Sequence, residues 1–167
     1  DFIGKLTMTS CYNQGSITGG DRVGGYIGIM SSANTEVTFS DSFNVGFIQK
    51  TSTYYGALVG EDRGGTLNVN TNRDVFYDQF KTNSNGEIDE IGSNDTVDSG
   101  SIKERLAIDL TNIQTFNTWD ISAFDSPDET TWKIGTDENG VLTYPYLAWQ
   151  TANIVTQSAA TLLADSG

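Results

Sequence analysis

The stretch Leu6-Thr7-Met8-Thr9-Ser10-Cys11-Tyr12-Asn13-Gln14-Gly15-Ser16-Ile17 reappears as Val37-Thr38-Phe39-Ser40-Asp41-Ser42-Phe43-Asn44-Val45-Gly46-Phe47-Ile48. The offset is 31 throughout, and the apolar, aromatic, Asn, Gly and Ile positions coincide. Further along, Gly24-Gly25-Tyr26-Ile27-Gly28 matches Gly56-Ala57-Leu58-Val59-Gly60 at an offset of 32. Phe2-Ile3-Gly4 is a partial earlier copy, and Leu67-Asn68-Val69-Asn70-Thr71 starts a later one. A period of roughly 20–50 residues is the mark of solenoids and stacked arrays.

Each period carries three short apolar pieces. The first alternates (Leu6, Met8; Val37, Phe39; Leu67, Val69), as a half-buried strand does. The second is aromatic-Asn-x-Gly-x-Ile, in which Gly15 and Gly46 ease a turn or a close backbone approach. The third is Gly-aliphatic-aliphatic-Gly. Three strands per turn predict an all-β fold, a three-sided parallel β-solenoid in which inward side chains stack on their equivalents in the next coil.

Composition supports strands and narrows function. The chain has 167 residues, enough for one domain and thin for two. Its formal net charge of −13 disfavours nucleic acid, whose phosphates need a basic face, and an anionic membrane surface. No His is present, which excludes an internal Ser-His-Asp triad, a Cys-His dyad or an HExxH zinc site. No apolar run approaches the roughly 18 residues of a membrane helix. Cys11, the single cysteine, has no internal disulfide partner and is expected to be a buried, free packing thiol. The chain begins at Asp1 without Met or signal peptide, so an excised or processed piece is expected.

The charge is uneven: residues 1–73 hold 6 acids and 5 bases, residues 74–167 hold 16 acids and 4 bases. Three regions follow: Gly-rich repeats over 1–71, an aromatic-rich acidic closing unit over 72–149, and a terminal strand or linker over 150–167 leading to a further region. Within the closing unit, residues 78–101 read as a polar loop. Ser101-Ile102-Lys103-Glu104 fits a capping box and predicts a short helix over 102–108, and Leu110-Thr111 opens another single turn. Strand pieces are expected at Trp119–Ile121, Trp132–Ile134 and Val141–Leu147.

Cys11-Tyr12-Asn13-Gln14-Gly15-Ser16-Ile17 followed by Gly24-Gly25-Tyr26-Ile27-Gly28 resembles the GLUG-repeat family of bacterial surface and secreted proteins. The second copy, with Ser42-Phe43-Asn44 and Gly56-Ala57-Leu58-Val59-Gly60, is degenerate. Phe76-Tyr77-Asp78, Leu110-Thr111, Thr115-Phe116-Asn117-Thr118-Trp119-Asp120-Ile121, Trp132-Lys133-Ile134 and Tyr144-Pro145-Tyr146-Leu147 are similar to the unit that closes such arrays. The resemblance covers roughly residues 2–149 and implies an extracellular or cell-surface location. It implies a non-catalytic structural or adhesive role within a larger, filament-forming or surface protein, whose upstream repeats, of the same or a neighbouring chain, contact the N-terminal end. It brings no catalytic residues.

Three chemical readings compete with that one. Asn83-Ser84-Asn85-Gly86-Glu87-Ile88-Asp89 matches the middle of an EF-hand or dockerin calcium loop, but Lys81 and Gly92 stand where the end ligands belong. An irregular oxygen cage would draw on Asp78, Asn83, Asn85, Asp89 and Glu90, with Asp95 or Asp98; Asp125, Asp128, Glu129 and Asp137 form a second acidic group. The same residues serve turns, so the expectation is no cofactor, or calcium bound weakly. Tyr54 and Tyr55, with Tyr144, Tyr146 and Trp149, offer a carbohydrate platform, which makes a glycan- or protein-binding tip the alternative function. A polysaccharide-active β-helix enzyme needs two carboxyls placed together. The repeats supply Asp41, Asp62, Arg63 and Arg73 but no periodic acidic row, so no enzyme is expected.

Overall fold

The computed structural model describes residues 4–31, 33–49, 54–70, 72–78, 89, 91–92, 102–136 and 139–150. The architecture is all-β, and contacts gather into two units, Asp1–Glu104 and Arg105–Gly167. The compositional boundary at 71/72 falls inside the first unit. Residues 151–167 lie outside the described residues, so the expectation of a terminal strand or linker falls there.

In the first unit one run of strands is β1 (Gly4–Thr9), β2 (Tyr12–Asn13), β3 (Ile17–Thr18), β4 (Arg22–Gly24) and β5 (Ile27–Met30). The next run is β6 (Thr35–Ser40), β7 (Ser42–Asn44), β8 (Ile48–Gln49), β9 (Tyr54–Gly56) and β10 (Val59–Asp62). A third begins with β11 (Thr66–Val69) and β12 (Val75–Asp78). Equivalent strands pair in parallel: β1-β6-β11, β2-β7-β12, β3-β8, β4-β9 and β5-β10. The register sets Leu6 beside Val37 and Val37 beside Leu67, Tyr12 beside Phe43 and Phe43 beside Phe76, and Ile17 beside Ile48. Pairing between the first and second runs therefore steps by the same 31 and 32 residues that separate the sequence copies, and to the third run by 30 at β6–β11 and 33 at β7–β12.

The described runs hold five strands, not the three expected. In the first two runs the first apolar piece is one strand, and the second and third pieces are each split into two. Ser10 (φ 54°) and Asp41 (φ 46°) occupy equivalent corners in the left-handed region, which short polar side chains tolerate better than most. The third run has an enlarged corner, since Leu67 pairs with Val37 but Val75 with Ser42. That insertion delivers Arg73 to the buried Asp41 (2.6 Å) and Asp74 to Lys103 (2.6 Å).

A fourth strand in the aromatic-Asn sheet corrects the sequence reading. Ile102–Arg105 is strand β13 beside β12, not the first turn of a cap helix. Ile102 is buried and the Lys103 ammonium reaches Asp74, so edge pairing and an ion pair outweigh a capping box that acts only locally. The loop expected over 78–101 also carries a third repeat fragment. Ile91 bridges Val59 in parallel, and Gly92 follows Gly60 in the same column.

The core of the first unit is one cluster including Val37, Phe39, Ile48, Leu58, Val59, Leu67, Val75 and Tyr77. Tyr26 packs against Phe39 (centroids 5.3 Å) and donates from its hydroxyl to the Phe43 carbonyl at 2.5 Å. Burial pushes the Tyr26 phenol well above the usual tyrosine range.

The second unit holds two 3-10 helices, Asp109–Thr111 and Ile113–Phe116, the second capped by Asn112, whose side-chain oxygen accepts from the Gln114 amide (3.0 Å). They realise the single turn expected at Leu110. β14 (Ile121–Ala123) pairs parallel with β15 (Trp132–Ile134), which pairs antiparallel with β16 (Tyr146–Leu147). Phe116, Trp119 and Trp132 stack in series at 4.8 and 5.1 Å between centroids.

Candidate functional site

The densest polar cluster of the first unit lies where β4, β9 and β10 bring Arg22, Tyr54 and Glu61 together. Parallel pairing of β4 with β9 sets Arg22 beside Tyr54, and the guanidinium carbon lies 5.8 Å from the ring centroid. The Arg22 Nε donates to Glu61 Oε2, and an Arg22 terminal nitrogen donates to Asp21. Arg63 Nε donates to the other Glu61 oxygen at 2.9 Å. Hydrogen bonding from Arg63, joined by Arg22, holds the Glu61 carboxyl below its usual value against the opposing effect of burial.

A carboxyl depressed on folding stabilises the protein above its unfolded value and stops doing so as pH falls through the folded one. The contribution of Glu61 is therefore complete at neutral pH and lost on acidification below roughly pH 4.3, the free-carboxyl value. Glu61→Gln should lower the melting temperature at pH 7 and leave a smaller gap from the parent at pH 3. A gap that is constant with pH would show that the Arg–Glu–Arg bridge adds nothing.

The sequence-derived candidates separate. Tyr54 lies under Arg22, and Tyr55 packs partly buried against the core, so the two rings do not form a free platform. Tyr144 and Tyr146 are buried in the second unit, whereas Trp149 is 76% exposed. Of the calcium candidates, Asp78 is buried at the end of β12 and Asp89 is exposed, its carbonyl accepting from the Ala57 amide (2.8 Å). Asn83, Asn85 and Glu90 lie outside the described residues. Among the described residues, no three acidic or thiol side chains gather at metal-binding distance.

Cys11 is only half-buried, which corrects the expectation of a buried thiol. Its equivalent, Ser42, is fully buried in the next run, so the same repeat position is more exposed in the first run than in the second. The Cys11 thiol donates weakly to the Thr9 carbonyl, and partial burial pushes its pKa up. A neutral maleimide should label the folded chain without prior unfolding, more slowly than a free thiol and faster as pH rises. Labelling that tracks global unfolding would place Cys11 in the core.

Sequence reasoning missed the amide ladder. Asn13 Nδ2 donates to Asn44 Oδ1 (2.9 Å), and Asn44 Nδ2 donates to the Ala57 carbonyl (2.6 Å). The signal was present as the repeated Asn 31 residues apart, with a Gly two residues after each. In the second unit an open cleft of about 460 Å³ is lined by Ile108, Asp109, Ile113, Ala123, Ile134 and Leu142 among others.

Comparison with protein-family models, with curated proteins and with solved structures returned no match.

Proposed function

We propose that the chain is a non-catalytic structural segment of a bacterial surface or secreted protein of the GLUG-repeat kind. On this reading the first unit is a β-solenoid that works outside the cell as a spacer or adhesive arm. The carrying observation is that the parallel pairing between the first and second runs steps by 31 or 32 residues in all five sheets, with like side chains adjacent. A chain built this way transmits position and length and exposes long side faces.

The buried carboxylates support the same reading. Glu61 is held by Arg22 and Arg63, Asp41 by Arg73, and Asp74 by Lys103. Hydrogen bonds from Arg63 and Arg22 hold the Glu61 carboxyl below its usual value, whereas a glycosidase acid must be kept protonated. The engaged rings of Tyr54 and Tyr55 favour a scaffold over a glycan-binding tip.

Incubation with acidic and neutral polysaccharides is expected to release neither reducing nor unsaturated ends, and chelation is expected to leave the melting temperature within a few degrees. Sugar cleavage would replace this reading with the enzyme. Retention on an immobilised glycan that is lost in Tyr54→Ala and Tyr55→Ala at unchanged melting temperature would replace it with the binding tip. A large drop in melting temperature on chelation would restore calcium to residues 78–98.

A further inference from the structure

The second unit is acidic and short of bases: residues 105–167 hold 8 acids and 2 bases, Arg105 and Lys133. Lys133 is fully occupied. Its ammonium donates to Ser122 Oγ (2.8 Å), the Ser126 carbonyl (3.0 Å) and the Asp128 carbonyl (2.7 Å), which uses every proton it has and none on a carboxylate. Asp120 accepts from the Thr131 amide and hydroxyl, both at 2.8 Å. Asp109 differs. Its backbone carbonyl accepts from the Asn112 amide (3.1 Å) and the Thr115 hydroxyl (2.6 Å), but among the described residues nothing engages its carboxylate.

Asp109 lines the open cleft together with Ile108, Asn112, Ile113, Ile134 and Leu142. Ile134 is 1% exposed and forms the dry part, whereas Ile108 and Leu142 are 39% and 36% exposed. Phe124, 43% exposed, stands beside the cleft, its amide donating to the Ile134 carbonyl at 2.8 Å. Three of the seven large apolar side chains that stand exposed among the described residues therefore gather at this one place. Scattered apolar exposure is ordinary on a protein surface; a group around a concavity marks a binding site.

The polar groups define what fits. Asn112 stands in extended backbone between the two 3-10 helices, and its side-chain oxygen is committed to the Gln114 amide. Its Nδ2 hydrogens have no partner among the described residues. An aliphatic wall, one uncommitted carboxylate and one uncommitted amide donor call for a ligand that carries an aliphatic stem, a cation and a carbonyl oxygen together. A lysine within a polypeptide has all three. A free alkylamine lacks the carbonyl, and a neutral sugar lacks the cation and the stem. The excess of carboxylates in the unit also attracts a cation and repels an anion.

We propose that this cleft is a docking site for a lysine-bearing aliphatic segment of a partner polypeptide. The lysine stem lies on Ile113, Ile134 and Leu142, its ammonium pairs with Asp109, and a main-chain carbonyl of the segment accepts from Asn112 Nδ2. Flanking aliphatic side chains of the segment cover Ile108 and Phe124. The inference goes beyond the structural role proposed above and rests on the second unit alone, so it stands or falls independently of the stacked runs.

Titration of the full chain with the acetylated, amidated tripeptide Leu-Lys-Leu, followed by NMR, tests it. Resonances of residues 108–113, Ile134 and Leu142 should shift, and those of the first unit should not. The matching peptide with norleucine in place of lysine should bind about two- to fivefold more weakly, the strength of an exposed ion pair, and added salt should shrink that gap. Asp109→Asn leaves the backbone carbonyl and its two bonds in place, and it should abolish the difference between the two peptides. Leu142→Ser should weaken both peptides alike. Equal affinity of the parent chain for the two peptides, or shifts that fall outside the cleft, would overturn the proposal. Binding of n-butylammonium as tight as that of Leu-Lys-Leu would overturn the assignment to a polypeptide. Nuclear Overhauser contacts between residues 151–167 and Leu142 in the peptide-free chain would make the chain's own tail the occupant and overturn it as well.

Discussion

Gly56→Ala is expected to destabilise the chain by more than about 3 kcal/mol, the upper part of the overpacking range. The added Cβ would lie 2.1 Å from the Val59 carbonyl oxygen, 2.6 Å from the Gly92 nitrogen and 2.9 Å from the Ile91 Cα. All three are backbone atoms, so no rotamer change relieves the clash. The Val59 carbonyl accepts from the Gly92 amide at 3.0 Å, so moving it breaks one of the bonds that tie the third run to the second. Gly4→Ala is the control, since its Cβ meets nothing within 4 Å, and it should change stability by less than about 0.5 kcal/mol. Urea unfolding of both variants decides the matter. A loss below about 1 kcal/mol at Gly56 would mean that the runs are spaced more widely than these contacts require.

Phe39→Ala should cost about 3–5 kcal/mol, whereas Met8→Ala, its partner in the same register, should cost about 1 kcal/mol. The Phe39 ring is fully buried and packs on Tyr26, so truncation leaves a cavity walled by neighbours that are themselves fixed in strands. Met8 is half-exposed, and its removal gives back only part of a transfer free energy. Against a total stability of about 5–15 kcal/mol for a domain, the first change threatens folding and the second does not. Equal losses at the two positions would show that the β1–β5 face is covered after all.

The candidate sites were legible only as residue types. In the sequence Tyr54 and Tyr55 stand as an alternative carbohydrate surface, with Tyr144, Tyr146 and Trp149, on residue type alone. Sheet pairing instead aligned Tyr54 with Arg22 and turned Tyr55 toward the core. The Arg22–Glu61–Arg63 bridge joins residues about 40 positions apart on neighbouring strands, and no local pattern marks it. Asp41 read as one acid of a sparse surface set, yet the enlarged corner of the third run brings Arg73 onto it.

The repeat offset was enough, by itself, to determine strand type and pairing direction in the first unit. Side chains that recur every 31 or 32 residues bury one another only when like strands stack in parallel, so the period and the register are one quantity. Absence of His likewise excluded an internal Ser-His-Asp triad, Cys-His dyad or HExxH site without any coordinates. Tertiary structure alone decided three further matters. Ile102–Arg105 is a strand because β12 offers an open edge, and pairing with a distant partner outweighs a capping signal confined to four residues. Ile91 and Gly92 join the stack because Val59 and Gly60 are there to receive them. Cys11 and Ser42 hold one position in the repeat yet differ in burial, since a side chain here is covered by the runs on either side of it, and among the described residues β7 lies between β2 and β12 whereas β2 pairs with β7 alone.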